Sequence, residues 1–176
     1  MISKVRTSHF DLFYQMNIPN ETSERFNWDE YFLMIAAMVS MRSTCIRRKY
    51  GSVIVKDYRI ISTGYNNPPT GAPHCIDIGC MREQLNIPQG ERYDLCRAIH
   101  SEMNAIKNAE IEKIDIKGTT LYLVGYDCTK NSFIQGIPCK LCMPLCIEAG
   151  LKDWVTCSNG ISGEILRRKF ELVQPA

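Results

Sequence analysis

Past residue 26 the hydrophobic pattern of the chain becomes regular. Tyr31, Met34, Ile35, Met38 and Val39 recur at helical spacing and predict an amphipathic helix ending near Met41. Asn27, with Glu30 three places on, supplies the start signal for that helix. The period then changes: Gly51-Ser52-Val53-Ile54-Val55-Lys56 is β-branched, and Asp57-Tyr58 suits a turn into a second strand over 59–65. Between Asn66 and Leu95 no period survives; Pro, Gly, Cys and charge dominate, which predicts a long ordered loop (66–96 with its last cysteine). Loops of that length in compact domains are functional or tied down. Met103, Ile106 and Ala109 predict a helix over 101–109, and residues 119–124 a buried strand. A helix opened by Pro138 and ended by Gly150, a strand over 153–157 and a terminal helix over 162–170 complete the series. A hairpin followed by alternating helix and strand predicts an α/β layered domain with a mixed sheet. Residues 1–26 carry Phe10, Leu12, Phe13 and Tyr14 without a period and read as an N-terminal arm packed on the body.

Composition narrows the class. A chain of 176 residues fits one hydrophobic core, so residues 1–176 are read as a single domain. The longest apolar-rich stretch, 31–41, is too short to span a bilayer, so no membrane partner is expected. Lys4, Arg6, His9 and Asp11 stand where a secretory signal would need an apolar run, which favours a cytoplasmic protein. A net charge of +2 makes no electrostatic case for coating nucleic acid; Arg47-Arg48-Lys49 and Arg167-Arg168-Lys169 read as solvated faces. Nine cysteines in a reducing compartment point to metal ligands, catalytic groups or buried thiols rather than disulfides.

Two short motifs carry the chemistry. His100-Ser101-Glu102 is followed downstream by Pro138-Cys139-Lys140-Leu141-Cys142, the H-x-E…P-C-x-x-C arrangement that marks zinc deaminases acting on cytosine or adenine. His100, Cys139 and Cys142 would hold Zn²⁺ with three ligands and leave a fourth position for water. Two thiolates cancel the ion's charge, so the water is acidified less than at a three-histidine site, and a carboxylate is needed. Glu102 is that group: it takes a proton from water, passes it to the ring nitrogen and later serves the departing ammonia. Spacing alone does not aim both His100 and Glu102 at one cavity, because residues two apart in an ideal helix point in nearly opposite directions. Cys146 adds a rival C-x2-C-x3-C pattern that could hold an iron–sulfur cluster. It is read instead as a core thiol, as are Cys128 and Cys157.

Four thiols remain. Cys75, Cys80 and Cys96 fall in or at the edge of the long loop, and Cys45 lies just after the first helix. A structural Zn²⁺ closed by all four would order a segment that has little core of its own. His74 is a rival ligand, and four unrelated thiols are the alternative.

On these residues the chain resembles the cytidine and deoxycytidylate deaminase family, most closely the bacterial dCMP deaminases of the competence-operon type. The resemblance runs from Trp28 to Cys157. It includes Trp28-Asp29-Glu30-Tyr31-Phe32, Arg42-Ser43-Thr44-Cys45, Gly51 to Lys56, Ser62-Thr63-Gly64-Tyr65-Asn66, His100 to Ile106 and the Pro-Cys-x-x-Cys motif. It implies a three-layer α/β/α fold with a central mixed sheet of about five strands. It also implies deamination of dCMP to dUMP, Asn66 at the sugar, Arg47 at the 5′-phosphate and a second zinc on Cys45, Cys75, Cys80 and Cys96. A homo-oligomer, hexameric in the family, and a response to dCTP and dTTP belong to the same implication. The chain departs from the family at Ser101 (usually Ala), at Asn67 (usually Gly), over 125–137, read as a loop bordering the site, and after Cys157. Competing readings are a deaminase of another cytosine nucleoside or nucleotide, a tRNA adenosine deaminase and a non-catalytic zinc-stabilised binding module. A nucleoside enzyme has no use for Arg47, an RNA enzyme would carry a broader basic surface, and a purely structural site needs no Glu102.

Overall fold

A computed structural model of the protein describes residues 25–88 and 90–171. Most of the expected N-terminal arm therefore lies outside the described residues. Helix α1 spans Trp28–Ser40, and Asn27 caps it reciprocally: its side chain accepts from the Glu30 amide while Glu30 accepts from the Asn27 amide. Strands β1 (Arg48–Lys56) and β2 (Arg59–Tyr65) form a hairpin whose two turn residues, Asp57 and Tyr58, both have positive φ. That conformation matches the right-handed twist of the flanking strands.

Short helices α2 (Cys75–Ile78) and α3 (Met81–Gln84) punctuate the long loop. Then come α4 (Ser101–Ile111), β3 (Thr120–Asp127), β4 (Ser132–Gln135), α5 (Cys142–Glu148), β5 (Asp153–Cys157) and β6 (Ile165–Lys169). The sheet runs β2-β1-β3-β5-β6, with β4 paired to β3; only the β3–β5 pairing is parallel. Both faces are covered. Val53, Val55, Tyr122, Val124 and Val155 pack against α1, while Ile54, Leu121 and Trp154 pack against Ala105, Ile106 and Ala109 of α4 and Cys146 of α5. This alternation is the two-residue period of strands buried on both sides. The architecture is the expected α/β/α layering, with six strands rather than five.

Three expectations on the elements are corrected. Residues 162–170 form no helix: Ile165–Lys169 pairs antiparallel with β5 as the edge strand, and Gly160 turns the chain with φ of 82°. Pairing with an open sheet edge overrides the local helical pattern, and the outward Arg168 and Lys169 blunt the new edge. The stretch 125–137, expected as a loop, extends β3 and folds back on it as β4. The helix after Pro138 begins at Cys142; the Cys139 carbonyl accepts from the amides of Cys142 and Met143, so the turn holding both cysteines precedes it.

The buried face of α1 is Phe32, Leu33, Ala36, Ala37 and Ser40; Tyr31 and Met38 are exposed. Small residues win because the helix lies almost on β1. A Cβ at Gly51 would stand 2.1 Å from the Ala36 carbonyl oxygen. On the opposite face a Cβ at Gly64 would stand 2.3 Å from the Ala105 nitrogen and 2.3 Å from the Ser101 carbonyl oxygen. For the same reason Ala105 rather than Met103 faces the sheet from α4.

A methyl group at Gly64 has only backbone to push against. Gly64→Ala is expected to cost about 3 kcal/mol, lowering the thermal midpoint by roughly 10 °C for a domain of this size. Denaturant and thermal unfolding check it; a change under about 0.5 kcal/mol would show that α4 can retreat freely.

Candidate active site

His100 is the N-cap of α4, with extended backbone (φ −70°, ψ 156°), and Glu102 lies in the first helical turn. This removes the directional difficulty of a two-residue spacing. His100 stands outside the helix, so both side chains line one cavity of about 620 Å³, a size suited to a small-molecule ligand. Its placement is fixed from behind: Asn67 and Ile99 exchange both amide–carbonyl bonds, and Thr44 Oγ1 donates to Asn67 Oδ1 at 2.8 Å. Asn67 is one of the positions where the chain departs from the family pattern, and here it anchors the approach to His100.

Nδ1 of His100 lies 3.2 Å from Sγ of Cys139 and 3.3 Å from Sγ of Cys142. Among the described residues these three alone bring ligand atoms of a possible metal site within 4.8 Å of one another. One nitrogen and two sulfurs suit zinc. Cys146 is fully buried within the core formed by α4, α5 and the sheet, and the cluster does not include it. Cys139 is pushed down to about 4, first by the hydrogen bond from Cys142 and then by His100, whereas the Cys142 thiol is pushed up by giving its proton to that bond. His100 is raised by its hydrogen bond to Cys139. The cluster's protons are thus shared between the two sulfurs and the ring.

Glu102 is buried, and burial pushes its carboxyl up. Its own backbone N–H, the His100 charge and the Ser101 hydroxyl pull the other way. Ser101 Oγ donates to Glu102 Oε2 at 2.9 Å, and Ser52 Oγ donates to Ser101 Oγ at 2.9 Å. The serine that replaces the family's alanine therefore orients the carboxylate and links it to β1.

Asn66 and Arg47 both line the cavity. The Asn66 amide is already engaged with β1: its Oδ1 accepts from the Tyr50 amide at 2.7 Å and its Nδ2 donates to the Arg48 carbonyl at 2.9 Å. One amide hydrogen remains for a ligand. Arg47 Nη2 reaches the Ile87 carbonyl at 3.4 Å, and its buried Nη1 has no partner.

Cys45, Cys75, Cys80 and Cys96 are all free thiols. Burial raises Cys75 first, and the charges of Cys45, Cys80 and Cys96 raise it further, so the four are neighbours. Their sulfurs are not gathered within 4.8 Å as the other cluster is. The rival His74 turns Nδ1 to Thr44 Oγ1 at 3.1 Å.

Reading the sequence missed Ser52, Arg82 and Tyr93, which the fold brings to or behind the cavity. Ser52 sits in a strand pattern and the other two in a stretch without period, so no local signal distinguished them.

Residues 26–158 match the family described as "Cytidine and deoxycytidylate deaminase zinc-binding region". The chain belongs to this family. It is 35% identical to ComE operon protein 2 of Bacillus subtilis over 73% of this chain and 58% of that protein. It is 30% identical to the deoxycytidylate deaminase of Schizosaccharomyces pombe over 87% of this chain and 44% of that protein. With the deoxycytidylate deaminase of Mycobacterium phage D29 identity reaches 41%, over 59% of this chain and 82% of the phage protein. The chain thus spans about half the length of the fission-yeast and bacterial relatives. The dCMP deaminase of cyanophage S-TIM5, solved with dCMP and dUMP, shares the fold at a TM-score of 0.54 and 24% identity, over 74% of this chain and 81% of that one. Among the described residues no helix is long and apolar enough to cross a membrane.

If His100, Cys139 and Cys142 hold the zinc, Cys142→Ala lowers the metal content by one ion per chain, read by chelator titration after dialysis. Unchanged stoichiometry would place that ion elsewhere.

Proposed function

We propose that the chain catalyses hydrolytic deamination of dCMP to dUMP and ammonia. The observation that carries this reading is the buried Glu102 carboxylate set beside the His100–Cys139–Cys142 donors, in one cavity with a half-buried arginine. His100, Cys139 and Cys142 hold Zn²⁺, which when bound supplies Lewis-acid activation of water. Glu102 takes the proton from the attacking water and gives it to N3 of the cytosine ring. As the C4–N bond breaks, Glu102 shuttles the second proton to the amine, so that water and dCMP become dUMP and ammonia. Burial suits this exchange, because it raises the carboxyl and so helps Glu102 to accept the proton it passes on. Ser101 keeps the accepting oxygen in place, Asn66 offers its remaining amide hydrogen to the sugar, and Arg47 offers its unpaired Nη1 to the 5′-phosphate.

A second, structural Zn²⁺ on Cys45, Cys75, Cys80 and Cys96 is part of the proposal. It is supported by the mutual charge of these thiols and by the sparse regular structure of the loop they bracket. We also propose a homo-oligomer, hexameric by resemblance to the family, located in the cytoplasm where its thiols stay reduced.

Ammonia release from dCMP, CMP, deoxycytidine, cytosine and a tRNA anticodon stem tests the function. The expected result is fastest turnover of dCMP, with Glu102→Gln slower by about 100-fold or more while keeping its zinc. A Glu102→Gln protein as active as the parent would remove the carboxylate from the reaction. Zinc analysis is expected to find two ions per chain and one in Cys80→Ala, with earlier unfolding of that variant; one ion in both would eliminate the structural site.

A further inference from the structure

The loop between β2 and α4 brings a further guanidinium to the cavity, which Arg47 and the Asp127-paired Arg48 also line. Arg82 of α3 is only 8% exposed, and its Nε is buried without a hydrogen-bond partner. Its Nη2 donates to the Pro88 carbonyl at 3.0 Å, one residue along from the Ile87 carbonyl that receives Arg47. Two arginines are therefore fastened to successive carbonyls of one turn, and each keeps a buried N–H unused. Among the described residues no carboxylate lies within ion-pair distance of either one. Buried charges are normally paired, and a buried donor without a partner costs free energy. Two such donors, on cations that bond neighbouring carbonyls and line one cavity, fit an anion of charge near −2 with several acceptor oxygens, which describes a phosphate monoester.

Arg82 is also held at a set distance from the chemistry. Its guanidinium lies over the Tyr93 ring at 4.9 Å, and Tyr93 meets the His100 ring edge-on at 5.2 Å between centroids. We propose that Arg82 is a second phosphate-binding residue, forming with Arg47 a two-arginine clamp that selects a nucleoside monophosphate over the free nucleoside. The inference rests on the dCMP reading above and adds to it the residue that enforces the phosphate requirement. A nucleoside entering the cavity leaves both donors unpaired, and sites built to bond a group reject analogues that lack it far more strongly than apolar pockets do.

The test compares kcat/KM for dCMP and deoxycytidine in the parent protein, Arg82→Gln and Arg82→Lys, together with the thermal shift produced by inorganic phosphate. Both variants are expected to lose more on dCMP than on deoxycytidine, Arg82→Gln by a margin of about 10- to 100-fold. Phosphate is expected to raise the midpoint of the parent and not that of Arg82→Gln. Equal losses on the two substrates would reduce Arg82 to a support for Tyr93 and overturn the proposal. Should Arg82→Gln fail to fold, Arg82→Lys decides in the same way, because lysine keeps a charge but cannot present the forked donor pair. A parent protein that ignores dCMP yet is stabilised by phosphate through Arg82 would defeat the dCMP reading and leave the anion site standing; no phosphate effect in the parent would defeat the site.

Discussion

The distance between helix α4 and strand β2 decides whether this protein has a site. α4 delivers His100 from its cap and Glu102 from its first turn, while the two cysteines arrive from the turn that precedes α5. Zinc–ligand bonds tolerate errors of only tenths of an ångström, so the helix must seat at one depth against the sheet. The depth is fixed by an absent side chain. Gly64 lets the Ser101 carbonyl and the Ala105 amide settle onto β2, and Ser62 Oγ closes the gap by donating to the Ala105 carbonyl at 2.6 Å. Gly51 sets the clearance of α1 on the opposite face in the same way. Both glycines have negative φ, so their value lies in missing volume rather than in conformational freedom.

Seated there, the helix start does electrostatic work that neither motif does alone. Two thiolates close together in a partly desolvated corner would repel one another. The protein settles this by sharing protons: Cys139 goes down, Cys142 and His100 go up. A divalent cation of the right softness takes over the role of those shared protons, so affinity for it rises with pH as the thiols give theirs up. Glu102 stays outside this group. Its partners are a hydroxyl and its own backbone amide, and it lines the same cavity as His100 and Cys139.

The parts of this arrangement that were legible in the sequence were the local ones. The Asn27–Glu30 cap, the Asp57-Tyr58 turn and the strand over 153–157 each depend on a few adjacent residues, and each appeared where expected. The metal donors were readable because their chemistry needs a fixed set of residue types at fixed spacing. What sequence could not reveal was set by distant partners. The last segment became a strand because β5 offered an unpaired edge and because Arg167 meets Asp29 and Asp153 there. α1 buried its alanines instead of its methionines because a glycine on another element admitted the close approach. Ser101 looked like a harmless replacement until Ser52 was found 2.9 Å behind it.

The long loop shows how far such distant dependence reaches. It holds two helices of four residues each and a single 3₁₀ turn, too little regular structure to stand by itself. Yet it must carry Arg82 and Tyr93 with enough rigidity to place a cation near a metal centre. Side chains that reach across it give it order: the arginines tied to Ile87 and Pro88, and the Tyr93 ring between Arg82 and His100. A loop ordered by the same groups that face the ligand couples recognition to its own stability. In the proposed clamp, an anion bonded to both Arg47 and Arg82 would brace the wall that holds Tyr93 against His100. Under that proposal a phosphate contributes through its own hydrogen bonds and through the firmness of the ring beside the metal donors, and a nucleoside contributes neither.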